Sequence, residues 1–242
     1  MPERLLISAT TGQIIFGGKL KRTLIVATVL LCVFAVKISA EQTSVLAANL
    51  KAGKKQTIVA YGTSLTEKGV WVDELQKKLN ELFPGKATVL NKGGQGMYSK
   101  WGVDNLEERV IKNKPDAVLI EFAINDVVGR FNCSVPQAKE NLEFMIKRIL
   151  EQNPKCEIVL MTTTPGDLPR KKIPEYYDVY RSVAKVHKFL LVDMYPQWLV
   201  LLNSDKKTYN AYVPDLVHPS PDGCKFVVLP AILRTLGIPV QH

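Results

Sequence analysis

Thr57-Ile58-Val59-Ala60-Tyr61-Gly62-Thr63-Ser64-Leu65-Thr66 joins a short apolar run to a glycine and a cluster of hydroxyl groups. The run is too short for a stable helix, and its Val and Ile content suits a parallel strand buried on both faces. Four further runs have the same character: Ala87–Leu90, Ala117–Phe122, Ile158–Thr162 and Phe189–Met194. Between them Val72, Leu75, Leu79 and Leu82 recur at helical spacing, as do Leu142, Met145, Ile146 and Ile149. Pro84-Gly85, Pro115, Pro154 and Pro165-Gly166 punctuate the segments. The alternation predicts an α/β fold: a mostly parallel five-stranded sheet in a three-layer αβα sandwich. Ligands of such a sheet bind beyond the carboxyl ends of its strands, so the residues after each run are the ones to inspect.

The chain has 242 residues, 46% of them hydrophobic and 23% charged, with 15 Gly and 14 Pro. That length holds one domain with a sizeable core plus a short extra segment, and the composition excludes disordered, collagen-like and disulfide-stapled classes. Lys and Arg exceed Asp and Glu by nine, but residues 1–40 carry five of the bases and one of the acids, which leaves +5 on the remainder. So mild an excess, with no basic block interleaved with aromatics, argues against nucleic acid as a partner.

The first 40 residues include Lys19-Leu-Lys-Arg22, an apolar run from Thr23 to Val36, and Lys37-Ile-Ser-Ala40. A basic start, an apolar stretch of about 14 residues and a small residue at the cut mark a secretory signal, and the run is short for a membrane span. The expectation is a signal peptide over 1–40, a polar linker over 41–55 and the folded domain over 56–242, in a secreted or periplasmic protein with no stable membrane insertion. The alternative is an uncleaved anchor that holds the domain outside the cytoplasm, because Ile38 is not the small residue preferred three places before a cut. Beyond that segment Cys133, Cys156 and Cys224 remain, without the close spacing of a zinc or redox motif. Each is expected as a buried, inert thiol, although export permits one disulfide.

Four blocks carry candidate chemistry. Ser64 follows the first run on a strand-to-helix turn, where a serine serves as nucleophile or simply as a cap. Asn91-Lys-Gly93-Gly94-Gln-Gly96-Met-Tyr-Ser99 follows the second; its glycines allow close backbone approach to a ligand, or merely a tight turn. Asn125 follows the third run and is either an oxyanion donor or a helix cap. Asp215-Leu-Val-His218 lies near the end, in a chain with three histidines. An Asp three residues before a His can fold back to fix the imidazole tautomer that takes a proton from serine, although a purely structural pair has the same spacing. His187 and His242 read as bystanders.

Together and in this order, the blocks resemble the SGNH or GDSL family of serine esterases and lipases, over roughly Thr57–Leu236. The resemblance implies the SGNH hydrolase fold, whose sheet is flavodoxin-like. It implies Ser64 as nucleophile, Asp215 and His218 as its triad partners, and an oxyanion hole of the Ser64 and Gly96 amides and the Asn125 side chain. Gly96 is placed, ahead of Gly94, by matching Asn91, Gly93, Gly96 and Ser99 to the family's N-x-G-x-x-G-x-x-S/T. Two positions depart from the family's pattern: Thr63 replaces the Asp of G-D-S, and Ala123 replaces the glycine before the Asn. No metal or organic cofactor is implied.

The implied activity is acyl-ester hydrolysis on a small-molecule or carbohydrate ester. Carbohydrate O-acetyl esters are favoured by export and a compact domain without a long apolar lid; lysophospholipids and thioesters with longer acyl chains are the alternatives. A catalytically silent ligand-binding domain is the rival from another class, and the joint presence of Ser64, Asn125, Asp215 and His218 speaks against it. A phosphate binder would need a cradling loop where the chain has Thr63-Ser64-Leu65. Oligomeric state is not legible in the sequence.

Overall fold

A computed structural model describes residues 44–167 and 170–240. The expected signal peptide or anchor lies outside the described residues, as does His242.

Five strands, β1 (Gln56–Gly62), β2 (Ala87–Asn91), β3 (Ala117–Glu121), β4 (Glu157–Thr162) and β5 (Leu190–Asp193), form one sheet in the order β2-β1-β3-β4-β5. Every neighbouring pair is parallel. The helices are α1 (Val45–Lys51), α2 (Ser64–Glu67), α3 (Trp71–Leu82), α4 (Ser99–Asp104), α5 (Leu106–Arg109) and α6 (Ala123–Asp126). They continue as α7 (Val135–Gln152), α8 (Ile173–His187), α9 (Tyr195–Ser204), α10 (Lys206–Tyr212), α11 (Pro221–Gly223) and α12 (Leu229–Thr235).

Alternate residues of the strands feed two separate cores, as the twofold side-chain period requires. Val59, Tyr61, Val118, Ile120 and Leu160 meet Leu142, Met145 and Ile149 of α7 and Tyr177 and Tyr180 of α8 on one face. Ile58, Ala60, Leu119, Val159 and Val192 meet Leu50, Leu75, Leu79, Trp198 and Ile232 on the other. Each large apolar side chain so buried stabilises the fold by about 1.5–3 kcal/mol, which is why both faces of the sheet are covered. The expected three-layer αβα sandwich is the observed one.

The expected polar linker over 41–55 needs correction. Residues 45–51 form α1, with Leu46, Ala47 and Leu50 buried in the second core. Ser44 caps it through the Ala47 amide, and the Glu157 carboxylate takes the Val45 amide at 2.7 Å, the Leu46 amide at 3.1 Å and the Ser44 hydroxyl at 2.7 Å. A carboxylate on the orphan amides of a first turn is a favourable helix start. Among the described residues the packing therefore already includes residues 44–51, ahead of residue 56.

Strand β1 lies between β2 and β3, so the winding reverses there and opens a crevice beyond the carboxyl ends of β1 and β3. Ser64 follows β1 by two residues, and Asn125 follows β3 by four.

Candidate active site

The turn after β1 is built around a buried carboxyl group. Glu121, the last residue of β3 and 2% exposed, accepts the Thr63 amide at 2.7 Å and the Thr66 hydroxyl at 2.6 Å on Oε1. The Thr63 hydroxyl donates to it as well, at 3.0–3.1 Å, while its oxygen caps α2 through the Leu65 amide at 3.2 Å. The residues on both sides of Ser64 are thus tied to one side chain. A Cβ at Gly62 would lie 2.1 Å from Glu121 Oε1, so only glycine fits above it. Burial pushes the Glu121 carboxyl up to about 7, against the pull of these hydrogen bonds. Thr63, where the family has Asp, is therefore a neutral partner for an acid that already occupies the space beneath the turn.

The loop after β2 leans on that turn. A Cβ at Gly93 would meet the Glu67 nitrogen at 2.4 Å and the Thr63 carbonyl oxygen at 2.9 Å, and Asn91 Nδ2 donates to the Thr66 and Glu67 carbonyls at the end of α2. The Gly94 amide is used by the Gly62 carbonyl at 2.9 Å. Gly96 adopts φ +68°, a left-handed conformation that favours glycine, and its amide has no partner among the described residues. The structure thus leaves Gly96, not Gly94, with a free donor. The Ser64 amide, at the first position of α2, is likewise unpaired among the described residues.

Asn125 and Asp126 divide the work of the third block. Asn125 Nδ2 donates to the Met97 carbonyl at 2.8 Å and keeps its second hydrogen, while Arg170 Nη2 donates to its Oδ1 at 3.1 Å and so fixes which end of the amide faces the cleft. Arg170 is itself held by the Ile124 carbonyl and Asp167. Asp126 points inward and accepts the Ser99 amide at 2.8 Å, which ties the glycine loop to α6; burial pushes its carboxyl up to about 6. The methyl of Ala123 is buried in the first core.

The last block folds back as its spacing predicts. His218 Nε2 lies 2.8 Å from Ser64 Oγ, and His218 Nδ1 lies 2.6 Å from Asp215 Oδ2. Asp215 Oδ1 also accepts the amides of Val217 at 3.0 Å and His218 at 2.7 Å. Burial alone would raise this carboxyl, but the bonds from the His218 amide and ring and the Val217 amide hold it below the ordinary range. To close so tight a loop Leu216 adopts φ +65°, a strained conformation for a leucine, and Thr164 Oγ1 clamps the Val217 carbonyl at 2.8 Å. His187, at the end of α8, takes no part.

All five expected site residues, Ser64, Gly96, Asn125, Asp215 and His218, line one open cleft of about 430 Å³. Lys68, Gln95, Arg130 and Arg170 complete it, so no large apolar side chain lines it among the described residues. Cys133, Cys156 and Cys224 are elsewhere, free and buried, with burial pushing their thiols up to about 12, 12 and 11.

This geometry agrees with the comparisons to known proteins. The family model for GDSL-like lipases and acylhydrolases matches residues 58–226. The chain belongs to the GDSL-like lipase/acylhydrolase family. It is a carboxylic ester hydrolase of that family. This GDSL hydrolase is 30% identical over 166 residues to an acetylxylan esterase from Geobacillus stearothermophilus, a match that covers 62% of this chain and 72% of the relative. The crystal structure of Axe2, an acetylxylan esterase from the same organism, superposes with a TM-score of 0.65 at 26% identity, over 77% of this chain and 96% of that one. The lipase/acylhydrolase from Enterococcus faecalis is similar at a TM-score of 0.65 and 25% identity, over 77% and 100% of the two chains.

Proposed function

We propose that this GDSL hydrolase is an exported enzyme that removes acyl groups, acetyl above all, from carbohydrate esters by a Ser-His-Asp mechanism. The observation that carries the mechanism is the unbroken path from Ser64 Oγ through the His218 ring to Asp215. Asp215 holds the proton on His218 Nδ1, which leaves Nε2 to accept the Ser64 proton as Oγ attacks the ester carbonyl. The Ser64 and Gly96 amides and the free hydrogen of Asn125 Nδ2 stabilise the oxyanion of the tetrahedral intermediate. His218 then protonates the departing alcohol, and a water attacks the acyl-enzyme with His218 again as base.

The polar lining supports a sugar alcohol and a short acyl group, because hydroxyls find partners there and a long acyl chain finds no apolar wall among the described residues. The acetylxylan esterases among its relatives support the same substrate class. Export is proposed from the basic, apolar and small-residue order of residues 19–40. N-terminal sequencing of the extracytoplasmic protein tests it: a start near Glu41 supports cleavage, and an intact Lys19 in the membrane fraction favours the anchor. Acetyl and octanoyl esters of one chromogenic alcohol test the substrate class. Faster turnover of the acetyl ester is expected, and faster octanoyl turnover would favour a lipid-directed enzyme.

A further inference from the structure

The cleft has an excess of positive charge that acyl transfer to water does not use. Among the described residues three cations line it, Lys68, Arg130 and Arg170, against one carboxylate, Asp215, which is engaged with His218. Arg170 is paired with Asp167 at 2.7 Å. Lys68 and Arg130 have no carboxylate partner among the described residues. An unpaired surface arginine ordinarily has a mobile head, but this one rests on a shelf. Its guanidinium carbon is 4.6 Å from the centroid of the Phe131 ring, and that ring stacks on Tyr98 at 4.4 Å and 15°. Both aromatics pack against the first core, and Tyr98 belongs to the same loop as Gly96. The guanidinium sits beside the glycine loop, in the same cleft as Ser64: Arg130 Nη2 is 3.7 Å from where a Cβ on Gly96 would lie.

Resting on the function proposed above, we propose that Arg130 and Lys68 form an anion subsite, and that the substrate is an ester of an acidic carbohydrate whose carboxylate lies within about one sugar unit of the scissile ester. A planar guanidinium can match a carboxylate in two parallel hydrogen bonds, a geometry that an ammonium does not offer. Lys68 follows α2 directly, four residues after Ser64, and adds a second charge at the opposite end of the nucleophile's helix. Both side chains are exposed at the rim of a concave cleft, where two like charges raise the local concentration of an anionic substrate.

The test compares kcat/KM for acetylated oligogalacturonate and acetylated xylo-oligosaccharide of matched length, in the wild type and the R130Q/K68Q double variant, at low and high salt. The wild type is expected to prefer the acidic substrate by about tenfold, mainly through KM. Salt is expected to erode that preference, and the double variant to bring it within about twofold. No acidic preference in the wild type, or a preference that survives both substitutions, would overturn the subsite. So would an equal loss on both substrates, which would make Arg130 an aid to the oxyanion instead. If the wild type hydrolyses a neutral chromogenic acetate but neither carbohydrate differs, only the subsite falls; if it hydrolyses no ester at all, the proposed function falls with it.

Discussion

Replacing Glu121 with Gln removes one charge from beneath the Ser64 turn while preserving its shape and an acceptor for the Thr63 amide. Burial raises this carboxyl from an ordinary 4.5 to about 7, so the folded state binds its proton more tightly than the unfolded chain does. The sign follows directly. Below the ordinary value the group is protonated in both states and carries no penalty; between about 4.5 and 7 stability falls as pH rises, and above about 7 the full penalty is present. At about 1.4 kcal/mol per pH unit the displacement corresponds to roughly 3 kcal/mol. Urea unfolding of both proteins from pH 4 to 8 isolates it, because most other titrating groups are common to the two and Asp126 is coupled to Glu121 only as a lesser influence. The difference in stability, Glu121→Gln variant minus wild type, is expected to grow by about 3 kcal/mol across that range. Parallel profiles would refute the reasoning and mean that the hydrogen bonds to Glu121 fully offset its burial.

Asn125→Ala is expected to lower kcat by about 100- to 1000-fold while Ser64 stays reactive toward a phosphonate, because one oxyanion donor is lost and the Ser64 and Gly96 amides remain; steady-state kinetics beside labelling check this. Gly93→Ala forces a methyl group against the Glu67 nitrogen and is expected to destabilise the fold by about 1–3 kcal/mol and to lower turnover, read by urea unfolding and ester assay. Glu157→Ala leaves the Val45 and Leu46 amides without their carboxylate and is expected to cost about 1 kcal/mol, with earlier hydrogen exchange in α1 but little change in turnover.

The strands were legible because each is a short apolar run, and the Asp215–His218 pair because the two are three residues apart on one loop. Helix α1 was missed for a physical reason: only Leu46, Ala47 and Leu50 of its seven residues are buried, a stripe too short to stand out from a polar segment. Glu121 was missed, because it sits inside an apolar run and its partners Thr63 and Thr66 come from another strand's turn, which only the β1–β3 register of Gly62 with Glu121 brings together. The family pattern pointed to Gly96 over Gly94, but the physical reason is which amide the backbone's own hydrogen bonds consume, and no spacing reveals that. Arg130 and Arg170 carried no motif at all, since their placement depends on aromatic stacking and on the Asn125 amide.

The central claim is that His218 activates Ser64, and phosphonate labelling of the intact protein followed by peptide mapping tests it most directly. A single adduct on Ser64 in the wild type is expected, with labelling of the His218→Ala variant slowed by at least about 1000-fold while circular dichroism reports an unchanged fold. Labelling of His218→Ala at the wild-type rate, or an adduct on any residue other than Ser64, would contradict the account.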